Sequence, residues 1–118
     1  MLINSKVHHM PYVYLFLAII FEVAGTVTLK LSDGFTKSLY ATVTILGWGV
    51  ALYLLSISLK YFNIGFTYAI WASLGIVLVA LIGVVFLGEK ADWQGLLGLA
   101  LILSGVVVLY KFSKMGGH

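Results

Sequence analysis

Glu22 is the one acid inside the run from Tyr12 to Leu29, an otherwise uncharged and mostly apolar stretch long enough to cross a membrane as a helix. At the helical rise per residue it stands about 12 Å from Lys30, the first charge beyond it, which puts it near mid-bilayer. A charge at that depth costs from about 2.5 to more than 10 kcal/mol, so the carboxyl must be protonated, paired or wetted by an internal cavity. No Lys, Arg or His lies within the apolar runs to pair with it. Such a group can trade a proton for a cation, which is the chemistry of a proton-coupled exporter. The competing reading is structural glue, a carboxyl hydrogen-bonded to a neighbouring helix.

Counting by three and four from Glu22 places Leu15, Ala18, Gly25, Thr26 and Leu29 on its face of the helix. Most are small and leave space around the carboxyl, although small residues also serve close helix packing. Leu15, Ala18 and Thr26 are candidate cavity-lining residues on this ground. Further along, Tyr68, Trp71 and Gly75 share one face at the same spacings. Trp71 lies too deep in its uncharged run for an interfacial belt, and a Trp and Tyr beside a carboxylate suit an organic cation, which ring faces attract. Gly75, before Ile-Val-Leu-Val, is a candidate hinge. Trp48 and Tyr53, well inside another apolar run, are further candidates for the cavity wall. Gly98 and Gly105, seven apart on one side of the last run, mark a close helix contact.

These groups need a scaffold, and the composition supplies one kind. With 62% hydrophobic and 9% charged residues and a mean hydropathy of +1.10, the chain falls outside the soluble range. It has no cysteine, which removes disulfides and thiolate metal sites, and its three histidines lack metal-ligand spacing. His8, His9 and His118 read as solvated tail residues. Seven lysines scattered singly between apolar runs form no stripe for a phosphate backbone, so nucleic acid is not an expected partner; lipid headgroups are. No nucleophile constellation, phosphate loop or paired carboxylates occur within one chain, so nothing supports enzymatic chemistry.

The expected fold is an all-α integral membrane protein with four transmembrane helices. Residues 1–10 read as a polar lead-in and not a signal peptide, because the apolar run behind them is too long and contains an acid. The four-helix domain is expected over residues 11–112, with helices at about 11–30, 38–59, 64–88 and 93–111, and a tail over 113–118. Asp33-Gly34 is the tight point of the first turn. Four helices put both termini and the loop after the second helix on one side. That side holds Lys6, Lys60, Lys111 and Lys114, against Lys30, Lys37 and Lys90 on the other, a near balance that permits insertion in both orientations and an antiparallel pairing of identical subunits.

The segments Phe21-Glu-Val-Ala-Gly-Thr26, Lys30-Leu-Ser-Asp-Gly-Phe-Thr36, Tyr68-Ala-Ile-Trp71 and Gly98-Leu-Ala-Leu-Ile-Leu-Ser-Gly-Val106 resemble the signature segments of the small multidrug resistance family. The resemblance extends over all four helices, from Pro11 to Phe112. It implies a multi-pass protein of the prokaryotic inner (plasma) membrane, an antiparallel homodimer that exchanges protons for cationic small molecules without any other cofactor. It further implies that Glu22 of each subunit binds both proton and substrate, that Tyr68 and Trp71 line the cavity, that the third helix kinks near Gly75, and that Gly98 and Gly105 lie at the dimer contact. Gly25-Thr26 and Gly75-Ile-Val-Leu-Val79 resemble the branch that exports quaternary ammonium and other lipophilic cations. Trp48 stands where that branch commonly carries Tyr.

Three alternatives stay open. The same fold can export guanidinium or polyamines, or the chain can be one subunit of a heterodimeric pump. From another class, it can be a membrane scaffold in which Glu22 is glue.

Overall fold

The computed structural model describes residues 5–115, with side chains from Met10 onward. Four helices follow one another: α1 (Ser5–Leu31), α2 (Ser38–Ser58), α3 (Ile64–Phe86) and α4 (Trp93–Lys111). Each contains a segment long and apolar enough to span a bilayer, beginning at Met10 in α1. The chain is therefore a four-helix membrane protein. The polar lead-in differs from expectation, because the helix starts at Ser5 and Pro11 falls inside it. Proline already holds a helical φ, so the turn continues through it at the loss of one backbone hydrogen bond.

The ends of the helices follow from local chemistry. Ser32, fully buried, donates to the Leu29 carbonyl at 2.7 Å and accepts from the Phe35 amide at 3.0 Å, folding the chain back after α1. Asp33, Gly34 and Phe35 all take positive φ (51°, 69° and 68°), so the expected tight point is a three-residue left-handed turn. Gly88, with φ of 72°, stops the chain after α3, where a side chain would be strained. Asp92 caps α4 by accepting from the Gly95 amide at 2.8 Å.

Packing is uneven. α1 lies between α2 and α3, whereas α4 touches α3 and buries no residue of its own. α1 and α2 approach through glycine: a Cβ on Gly47 would meet the Phe21 carbonyl oxygen at 3.2 Å, and one on Gly25 would collide with the Trp48 ring. The Thr28 and Thr44 hydroxyls, 2.7 Å apart, add a hydrogen bond across the same interface. Between α1 and α3 the interface has two halves. Toward the termini it is filled by Leu15, Ile19, Val23, Phe66 and Ile70, with the Tyr12 and Phe62 rings in tilted contact, centroids 4.7 Å apart, outside them. Toward the other end, small residues on α3 leave it open.

Because lipid offers no hydrophobic drive between helices, this glycine contact carries much of the α1–α2 association. Gly25→Ala is expected to lower stability in detergent by about 1–3 kcal/mol, since the added methyl must displace Trp48. Combining it with Trp48→Ala should recover most of that loss in a thermal melt; strictly additive losses would show that the two residues are not in contact.

Candidate functional site

Glu22 sits where the filled half of the α1–α3 interface gives way to the open half. Its Oε1 accepts a hydrogen bond from the Thr26 hydroxyl at 2.9 Å, one turn further along α1. Its Oε2 lies against α3 at Gly75, where a Cβ would stand only 3.1 Å from it. Glycine at position 75 is thus what lets the carboxyl reach the neighbouring helix. Among the described residues the sole ion pair is Lys30 with Glu89, so Glu22 has no cationic partner.

Two cavities meet at this carboxyl. The larger, about 440 Å³, is lined by Glu22, Thr26, Trp71, Ala72, Gly75, Ile76, Val79, Ala80 and Glu89. A second, of about 280 Å³, is lined by Glu22, Trp48, Ala51, Leu52 and Trp71. Glu22 and Trp71 therefore face both spaces. Trp71 also has a buried indole N–H with no hydrogen-bond partner among the described residues. Beyond Glu22, Thr26 and Glu89 the walls are aliphatic and aromatic, which favours bulky lipophilic ligands over small hydrated ions.

The structure thus brings Glu22, Thr26, Trp48, Trp71 and Gly75 to one place. Tyr68 contacts Trp71 with ring centroids 5.6 Å apart, but it is 60% exposed and lines neither cavity. Tyr53, 66% exposed, likewise lines neither. Leu15 and Ala18, expected on the cavity wall, are instead buried and line neither space. Their face of α1 is the right one, but at their level the interface is already filled by bulky groups such as Phe66 and Ile70. α3 runs unbroken through Gly75. A Cβ added at Gly98 or Gly105 would meet nothing within 4 Å among the described residues, and both lie on a helix with no buried residue. The side chains of His8 and His9, and the whole of His118, lie outside the described residues.

Sequence reasoning passed over the wall residues Ile76, Val79 and Ala80, and with them Glu89. The first three continue the Trp71–Gly75 face at helical spacing, a signal that extending that face would have found. Glu89 carries no such periodic signal.

An acid within a membrane-length apolar helix, without a cationic partner among the described residues and facing an aromatic and aliphatic cavity, defines a class of small four-helix membrane protein, and the comparisons identify it. The family model described as Small Multidrug Resistance protein matches residues 10–102. The quaternary ammonium compound-resistance proteins QacF of Klebsiella aerogenes and QacE of Escherichia coli are 45% and 44% identical over 107 residues, covering 91% of this chain and 97% of each relative. The multidrug transporter EmrE of Escherichia coli K12 is 38% identical over 108 residues, covering 92% of this chain and 98% of that protein. The chain belongs to the small multidrug resistance family.

The Thr26 contact gives a direct test of the geometry. Thr26→Val should shift the Glu22 carboxyl stretch in infrared difference spectra, assigned with Glu22→Gln, while Thr26→Ser keeps it. An unchanged band in Thr26→Val would show that the hydroxyl does not bind the carboxyl.

Proposed function

We propose that this chain exports lipophilic and quaternary ammonium cations in exchange for protons, working as a dimer in the prokaryotic inner membrane. Glu22 of each subunit is the shared binding group for proton and substrate. The observation that carries this reading is the Glu22 carboxyl itself, without a cationic partner among the described residues and open to two cavities. In a low-dielectric site such a group is most cheaply held by a proton or by a cation, and the two compete for it. Trp71 supplies a ring face for the cation, and Trp48 does the same from the second cavity. Tyr68 reinforces Trp71 through its ring contact. Loose selectivity follows, because apolar contact and ring faces impose few directional demands.

Antiport needs two states in which the site opens to opposite sides. If the occupant of Glu22 biases which side is open, proton entry drives cation exit by alternating access. The open half of the α1–α3 interface, toward Lys30 and Glu89, is one such route. A second subunit in the opposite orientation provides the other, and the near-even lysine count of the two sides is compatible with that pairing. α4, apolar and with no buried residue, has open space beside Gly98 and Gly105 and offers the surface for the partner. The relatives named for quaternary ammonium resistance favour such cations over guanidinium as substrates.

Glu22→Gln is expected to abolish pH-gradient-driven uptake of a dye cation into vesicles while leaving membrane insertion intact. Proton-driven uptake by that variant would contradict the assignment. Trp71→Ala should weaken binding of aromatic cations about tenfold and of small tetraalkylammonium ions much less; equal losses would mean that the ring is not a recognition element.

A further inference from the structure

Glu89 follows α3 and belongs on sequence grounds to a solvated loop, yet it lines the same cavity as Glu22. The reversal at Gly88 turns the chain back so that the Glu89 amide donates to the Gly83 carbonyl at 3.0 Å. Its carboxylate then lies directly across Gly83, in space that any side chain at that position would occupy. Glu22 contacts α3 at Gly75 and Glu89 contacts it at Gly83, eight residues on, so the two carboxyls stand about 12 Å apart along the helix axis. Ala72, Ile76, Val79 and Ala80 form an apolar wall for the same cavity.

The outer carboxylate already holds an alkylammonium. Lys30 Nζ stands 3.7 Å from Glu89 Oε2, with the two side chains 66% and 49% exposed. An ion pair that open to water is weak and screened by salt, so another cation can take the lysine's place.

We propose that Glu89 is a second anionic subsite of the Glu22 cavity, fitting it to organic dications whose charged groups are separated by an apolar spacer of about 12 Å. The proposal rests on Glu22 being a cation site. One charged group of the ligand sits at Glu22 beside Trp71, the spacer lies along the alanine-containing wall, and the other group replaces Lys30 at Glu89. An extended polymethylene spacer of about nine carbons covers that distance from ordinary bond lengths and staggered torsions.

The test is displacement of tetraphenylphosphonium from the purified full chain by bis(trimethylammonium) alkanes of increasing spacer length, with decyltrimethylammonium as the single-charge control. Affinity is expected to peak near eight to ten methylenes, about tenfold above the control at low salt. Glu89→Gln should remove that advantage and leave the control within about twofold, because the ligand's inner group still has Glu22. Lys30→Met should enlarge the advantage by freeing Glu89. An advantage that survives Glu89→Gln, or no advantage in the unaltered chain, would overturn the subsite. Should Glu89→Gln lose all binding, Glu89→Asp and Lys30→Met decide: the first is expected to keep a reduced advantage, and no change in either would overturn the proposal. Control binding that persists in Glu22→Gln would instead overturn the Glu22 reading, and the subsite with it.

Discussion

The bilayer sets the constraint from which the rest follows: an ionisable carboxyl placed near its middle must be satisfied by something. Among the described residues no positive charge does so. The Thr26 hydroxyl supplies one hydrogen bond, and the remaining demand is directed into open space beside Trp71 and Gly75. A protein that needed only to fold would bury an apolar side chain at position 22, as it does at the neighbouring Ile19 and Val23.

Around that point the fold divides its labour along the α1–α3 interface. Large side chains close the half that holds Leu15, Ile19, Phe66 and Ile70, which fixes the helices relative to one another. Small residues on α3 open the other half from Ala72 to Ala80, and the gap becomes the cavity. α2 braces α1 from behind through Gly25, Gly47 and the Thr28–Thr44 hydroxyl pair, and it brings Trp48 to the site. α4 buries no residue of its own and reaches the core only through partly buried side chains such as Val106 and Leu109, with Tyr110 against Tyr12. An apolar helix in that position faces either lipid or another protein.

Much of this could be read from residue order. Uncharged runs interrupted by lysines and acids gave α2, α3 and α4 to within about two residues, because in a membrane the placement of charge is nearly the same thing as the placement of helix ends. The meeting of Glu22, Thr26, Trp71 and Gly75 was legible from helical periodicity and from the rarity of a mid-span acid. Leu15 and Ala18 show where periodicity stops helping. It gives the face of a helix, but how far along that face a neighbour closes depends on the size of residues such as Phe66, distant in sequence. Tyr53 and Tyr68 show the same gap, since depth in the span says nothing about which way a ring points. Glu89 was the least legible, because its place in the cavity depends on the left-handed turn at Gly88 and the absence of a side chain at Gly83.

The central claim is that proton and cation occupy one carboxyl in turn. It is tested most directly by measuring proton release when tetraphenylphosphonium is added to the purified protein in weakly buffered solution near neutral pH. Release that saturates together with cation binding, and that disappears in Glu22→Gln, is the result predicted. Cation binding of undiminished affinity with no proton released anywhere across the neutral range would contradict it.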